Sequence, residues 1–215
     1  MKDAFMKIFN AHIKRDGADK LLEWLKTTDF FEAPASTKYH LNRPGGLLEH
    51  SLNVYARLRQ LYINERKREN IDFVALTDHE EEKIAICGLF HDFCKIGLYR
   101  QEPKNQKTYD PEKVGAAHPK SIKHDALGDF VWETVMGYTH EDNLPYGHGE
   151  KSVYILSGFI KLSREEAMAI RWHMGFSDDT FRGGSQAVGQ AFGMYPLAVM
   201  LHMADLAATF MDEKE

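Results

Sequence analysis

Six residues stand out because their types ligate metals and their spacing turns most of them toward apolar helix faces: His50, His91, Asp92, His148, His173 and Asp205. His50 falls in line with Val54, Leu58 and Leu61; His91 with Ile84 and Cys87; His148 with Ser152, Ile155 and Phe159; His173 with Ala169 and Ile170; Asp205 with Ala198, Leu201 and Ala208. These are the i, i+3, i+4 and i+7 relations of a single helical stripe. A polar group turned into a core is costly unless it finds a partner there. One such histidine reads as a core residue hydrogen-bonded to backbone. Five stripes that each present a ligand-type side chain read as one shared cluster. His50, His91, Asp92 and Asp205 supply two nitrogens and two carboxylates, a donor set suited to Mn²⁺ or Fe²⁺ rather than to a thiolate zinc site.

The elements that must carry these residues are helical. Residues 3–15 and 18–28 read as two short amphipathic helices, and Pro34, Pro44, Gly45 and Gly46 interrupt the chain after them. A long helix is expected from about Leu47 to Arg66, ending in the mixed-charge run ERKRE, and another over 78–95. Further helices are expected at about 148–161, 163–174 and 194–211. The second of these opens with Ser163 and Glu166 at capping-box spacing. Between Ile96 and Gly147 the periodicity fades, which predicts a long irregular insertion. The expected fold is mostly α: one domain of 215 residues, with 1–38 as an N-terminal helical extension, 39–210 as the core and 96–147 as the insertion.

Composition narrows the classes. A content of 43% hydrophobic and 12% aromatic residues excludes a disordered chain. The formal charge of −5 gives no global footprint for duplex nucleic acid, so extended nucleic-acid binding is not expected. Cys87 and Cys94 are separated by ~10 Å of helical rise, too far for a disulfide, and read as buried thiols in a reducing compartment. No segment has the apolar length of a membrane span or a signal-peptide core, so a cytoplasmic protein without membrane partners is expected. The glycine-rich RGGSQAVGQAFG lacks the Gly-Lys-Ser/Thr ending of a phosphate-binding loop.

Through PGGLLEHSLNV, FHDFCKIG, GHGEKS, RWHMG and LHMADLAA, the stretch from about Tyr39 to Phe210 resembles the HD-domain superfamily of metal-dependent phosphohydrolases. The resemblance implies a helical bundle. In members with two metals it implies that His50, His91, Asp92 and Asp205 hold one ion, while Asp92 bridges to a second ion held by His148 and His173. It also implies one or two divalent ions among Mn, Fe, Ni, Co and Mg, and phosphoester cleavage by a metal-activated hydroxide. GGLLEHS and LHMAD look most like the HD module of bacterial 3′-5′ exoribonucleases. The chain leaves no room for an OB domain in front of that module, so a small phosphorylated compound, such as a nucleotide, is the expected substrate. Oxygenases resembling myo-inositol oxygenase share the same ligand order and use a di-iron centre; a scaffold that keeps its ligands only structurally is the non-enzymatic alternative. Oligomeric state stays open at this point.

Around the ligands, Lys95 has two readings: a catalytic cation for phosphate oxygens, alongside Asp92, or a solvated lysine favoured by a helix C-terminus. From Lys95 to Lys123, seven basic residues stand against three acidic ones, a candidate anion funnel. Tyr99, Tyr109 and Tyr146 are candidate stacking residues within or near it. Glu150 reads as a first-turn glutamate, His202 as core or as a support for a ligand. His40, His118, His124 and His140 read as loop histidines.

Overall fold

A computed structural model describes residues 1–178, 181 and 183–214. The chain forms two compact units, a helical one made of residues 1–99 with 141–215, and a small sheet unit of residues 100–140. The fold is mostly α, as the periodicity predicts.

In the helical unit, α1 (Lys2–His12) and α2 (Ala18–Leu25) precede the two helices that carry the first ligands, α3 (Gly46–Glu69) and α4 (Asp78–Phe90). Residues 1–38 do not stand apart as an extension: Phe5, Phe9, Leu21, Leu25 and Phe30 are buried in the same cluster as Leu47, Val54, Leu58, Ile84 and Leu89. Phe5 meets Phe30 at 5.4 Å and Phe90 at 6.1 Å between ring centroids. Such aromatic contacts are worth about 1 kcal/mol each beyond the area they bury. They anchor the end of α4, where Phe90 and Phe93 flank His91 and Asp92 on either side. Buried rings on both flanks leave the two polar side chains facing inward.

Close helix approach depends on one glycine here. A Cβ on Gly88 would lie 2.6 Å from Tyr55 Cα, so only glycine lets α4 lie this near α3. α4 itself starts at a capping box: Thr77 Oγ1 accepts from the Glu80 N–H at 3.3 Å, and Glu80 accepts from the Thr77 N–H at 2.9 Å. It ends at Phe90 rather than continuing to residue 95, and His91–Lys95 form a tight turn with a single 3-10 segment, Phe93–Lys95.

The second half of the unit contains α6 (His148–Ser157), α7 (Arg164–Arg171), α8 (Ala187–Met194) and α9 (Pro196–Ala207). The expected capping box of α7 is present, with Ser163 Oγ accepting from the Glu166 N–H at 3.2 Å and Glu166 accepting from the Ser163 N–H at 2.7 Å. His173 lies just beyond α7, not within it. The helix expected over 194–211 is α9, opened by Pro196, which gives way at Ala208 to one π-type turn, Ala208–Asp212; α8, ending at Met194, is a further helix before it. The start of RGGSQAVGQAFG lies partly outside the described residues, while its second half forms α8. Among the described residues no single helix is long and apolar enough to cross a membrane.

The 96–147 stretch is not irregular. Its centre is a three-stranded sheet in the order β1-β3-β2, built from β1 (Tyr99–Thr108), β2 (Lys123–Asp125) and β3 (Gly128–His140), with α5 (Pro111–Ala116) between the first two. β2 and β3 are antiparallel, pairing Lys123 with Phe130 and Asp125 with Gly128. Gly128, at φ 122°, closes the hairpin in a conformation that disfavours other residues. β3 lies on DFVWETVMGYTH, a stretch compatible with an extended piece, whereas β1 gave no signal because YRQEPKNQKT is polar on both faces and shows no period-2 alternation.

Candidate metal centre

All six predicted ligands converge in the helical unit, although three helices (α3, α6 and α9) and two turns supply them. His50 from α3, His91 and Asp92 from the turn after α4, and His173 from the turn after α7 are buried; Asp205 and His148 are partly open, with side chains 17% and 32% exposed. His50 Nε2 lies 3.1 Å from His91 Nε2 and 3.2 Å from Asp205 Oδ1. Asp92 stands between two groups of imidazoles. Its Oδ2 is 3.5 Å from both His50 Nε2 and His91 Nε2, and its Oδ1 is 2.8 Å from His148 Nε2 and 3.4 Å from His173 Nε2. The donor atoms group as His50–His91–Asp205, His91–Asp92–His173 and Asp92–Cys94–His148, each compact enough to hold a metal ion.

The proton positions on the rings follow from their other contacts. His91 Nδ1 lies 3.0 Å from Gly88 O and His173 Nδ1 2.6 Å from Ile170 O; a carbonyl only accepts, so both Nδ1 atoms carry the proton. Burial holds His173 below the ordinary histidine range, keeping it neutral, with its Nε2 lone pair aimed at a carboxylate oxygen. That Nε2 is buried and has no hydrogen-bond partner. A lone pair facing a carboxylate in a dry interior is repulsive unless a cation lies between them, so the residues present fit a bound divalent ion.

Electrostatics point the same way. Burial alone would push the Asp92 carboxyl up, yet the Lys95 ammonium, the adjacent His91 ring and the His148 hydrogen bond hold it well below the carboxylate range. For His50, burial lowers basicity, and the Asp205 and Glu213 carboxylates outweigh it, lifting the ring to about 9. For His148 burial is likewise overcome by its close neighbours Cys94 and Asp92, and the pKa rises to about 10. Protons thus occupy rings that a metal ion would take over, and metal binding would release them.

Lys95 is not a solvated lysine. Its Nζ lies 2.6 Å from Asp92 Oδ2 with the side chain 11% exposed, and Asp92 raises it above the ordinary lysine range against the effect of burial. The turn is fixed to α6 as well, since the Cys94 N–H donates to Ser152 Oγ at 3.0 Å. Both cysteines are free and buried; Cys94 Sγ rests 3.4 Å from each nitrogen of His148. α6 and the end of α7 are pressed together at Gly149, where a Cβ would lie 2.1 Å from Arg171 O. Glu150 pairs with Arg171 at 2.6 Å across the same contact.

Two residues that sequence reasoning missed adjoin the cluster. Glu213 accepts from His50 Nδ1 at 3.1 Å through both oxygens, and the His40 ring centroid lies 5.1 Å from that of His50. His40 had only the signal of a loop histidine, and Glu213 lies in a terminal charge run, MDEKE, that reads as solvated. His202, read as core or support, is support: its Nδ1 lies 2.6 Å from the His173 carbonyl.

The positive excess that suggested an anion funnel is balanced within the sheet unit. Lys107 pairs with Asp125 and Lys113 with Glu133, both at 2.5 Å, while Lys104 donates to Tyr138 O. Over residues 100–140, Arg100, Lys104, Lys107, Lys113, Lys120 and Lys123 are matched by Glu102, Asp110, Glu112, Asp125, Asp129 and Glu133. Counting only as far as Lys123 cut off the three acids of the hairpin. His118 caps a short turn and His124 pairs with Asp129 at 2.8 Å. Tyr99 donates to Ala35 O and Tyr109 to Asp125, whereas Tyr146 is exposed and stacks on Tyr154 with ring centroids 5.1 Å apart.

Comparison with known protein families, curated proteins and solved structures found no match to the chain.

Proposed function

We propose that the chain is a metal-dependent phosphohydrolase of the HD type, acting on a phosphoester of a nucleotide or another small phosphorylated compound. The observation that carries the reading is the division of Asp92: one oxygen faces His50 and His91, the other faces His148 and the orphaned His173 Nε2. In this reading His50, His91, Asp92 and Asp205 hold one divalent ion, and Asp92, His148 and His173 hold a second. Divalent ions so held supply a Lewis acid for phosphoryl oxygens and a water acidified toward neutral pH.

The chain's own residues do the rest. Asp92 stays ionised across the physiological range and keeps its two oxygens directed at the two imidazole groups. Lys95 keeps its charge and neutralises Asp92, and its ammonium stands where it can also meet a phosphoryl oxygen. His91 and His173 are locked by backbone carbonyls with their lone pairs inward, so no reorganisation is needed when charge develops. Asp205 and His148 are the more open members of the cluster, so a substrate would reach it past them.

The test is to purify the protein without added metal or chelator, quantify bound metal per chain, and assay a phosphomonoester, a phosphodiester and a nucleotide panel with Mn²⁺. Bound metal with phosphate release supports the hydrolase. Release of mononucleotides from an RNA oligonucleotide would shift it to a 3′-5′ exoribonuclease-like phosphodiesterase. Bound iron with oxygen consumption on polyols and no phosphoesterase activity would replace it by the di-iron oxygenase, and a chain that binds no metal would overturn it.

A further inference from the structure

The last turn of the chain reaches back to the metal cluster. The π-type turn Ala208–Asp212 is closed by the Glu213 N–H donating to Ala208 O at 3.1 Å. A turn of this kind inserts a residue into the helical path and re-aims the side chains beyond it. Here it carries the Glu213 side chain, fully buried, against the outer nitrogen of His50. Asn53 Nδ2 donates to Glu213 Oε1 at 2.9 Å, and Arg57 Nε donates to Asp212 Oδ2 at 2.8 Å. His50, Asn53 and Arg57 are spaced i, i+3 and i+7 on α3, so the tail docks along one stripe of the helix that presents the first ligand.

A buried carboxylate is costly unless it is compensated, and the groups that meet this one are His50, Asn53 and, at 3.9 Å, His40. A carboxylate on Nδ1 keeps a proton there, turns Nε2 outward as a lone pair, and makes the ring a stronger donor to a metal. His91 and His173 use backbone carbonyls for the same purpose. His50 alone among these three has a charged support.

We propose that Glu213 is the positioning residue of the first ion, with the C-terminal turn fixing the orientation and donor strength of His50. The proposal rests on the metal-centre reading given above. It is tested on the full-length protein, stripped with chelator and titrated with Mn²⁺ by calorimetry. Glu213→Leu should weaken the tighter site by about 10–100-fold. Glu213→Gln should weaken it less, because the amide oxygen still accepts from His50 Nδ1. With saturating Co²⁺ the visible absorption should change in the leucine variant, reporting an altered ligand field that a purely structural role would not move.

Equal affinity and spectra across Glu, Gln and Leu at this position would overturn the proposal. So would the loss of a whole equivalent of metal at saturating Mn²⁺ in the glutamine variant, which would make Glu213 a direct ligand. If the leucine variant does not fold, Asn53→Ala removes only the donor that orients the carboxylate. It should weaken Mn²⁺ binding a few-fold, and unchanged affinity would count against the positioning role. Wild type that binds no metal removes the centre and Glu213's role with it, whereas normal wild-type binding beside unaffected variants removes the role of Glu213 alone.

Discussion

The helical unit and the sheet unit treat charge in opposite ways. In the helical unit Asp92, His50, His91 and His173 are buried, and at least one polar atom, His173 Nε2, lacks a partner. In the sheet unit the lysines and carboxylates at Lys107–Asp125 and Lys113–Glu133 are largely solvated and pair one to one. Exposed pairs of this kind contribute little to stability and imply no chemistry. A buried set whose pairing is incomplete is costly to keep, and that cost is what marks it as a site. Local charge along the sequence, +4 over residues 95–123, is balanced once the acids a few residues further on are counted.

Removing Asp92 should break this contrast most completely. Asp92→Ala is expected to abolish both metal binding and activity, since both of its oxygens face imidazoles, whereas His148→Ala should empty mainly the second site. Metal content per chain, measured by atomic emission on folded variants, checks both. Equal content in wild type and Asp92→Ala would return the cluster to the status of an ordinary ion-pair network.

A second buried charge tests whether burial alone makes a site. Arg15 donates to both oxygens of Glu166, at 2.8 and 2.9 Å, and to Glu82 at 3.2 Å, joining the turn after α1 to α7 and α4. Donors and acceptors are matched in this network, so the prediction is structural. Arg15→Met should cost about 3 kcal/mol, as breaking a buried pair does, without changing metal stoichiometry. Burial pushes the Glu166 carboxyl up, but the Arg15 and Ser163 hydrogen bonds hold it below the ordinary range. A depressed carboxyl stabilises the fold above its unfolded pKa and loses that contribution as pH falls through the folded value. The gap between wild type and variant in urea unfolding should therefore be widest near neutral pH and narrow below about pH 4. A gap that widens in acid would contradict the assignment.

Packing supplies the next effect in size. At Gly88 a methyl group would run into the Tyr55 backbone, and flexible side-chain movement cannot relieve a contact with Cα. Gly88→Ala should cost about 2 kcal/mol by overpacking. Because α3 and α4 carry His50 and His91, it should also weaken Mn²⁺ binding while leaving the donor atoms intact. Thermal unfolding and a Mn²⁺ titration on the same preparation measure the two effects together, and loss of stability with unaltered affinity would show that the two ligands tolerate a change in helix spacing.

What could be read in the sequence divides along the same physical line. His50, His91, His148, His173 and Asp205 were visible because a polar residue on an apolar stripe breaks a 3.6-residue pattern, and Asp92 as the carboxylate adjoining His91. Glu213 broke no pattern: it comes after Met211 and Asp212 in a charged terminus, and the π-type turn that buries it leaves no periodic trace. His40 sits among proline and glycine, where only tertiary contact places it beside His50. α8 was hidden by Gly189 and Gly193, which lower helix propensity. β1 was hidden for the converse reason, since it has no apolar face to alternate with its polar one.

The sheet unit should give the smallest effect, and this is what makes it informative. Lys113→Ala removes the ion pair with Glu133 and one of the positive charges that suggested an anion funnel. Both partners are solvated, so the melting temperature should stay within the error of the measurement and Mn²⁺ affinity should not change. If the lysine instead meets substrate, KM for a phosphorylated compound would rise several-fold at low ionic strength and converge with wild type as salt is added. A salt-independent KM equal to that of wild type takes Lys113 out of substrate recognition and favours the cluster itself, where Lys95 is the cation beside Asp92.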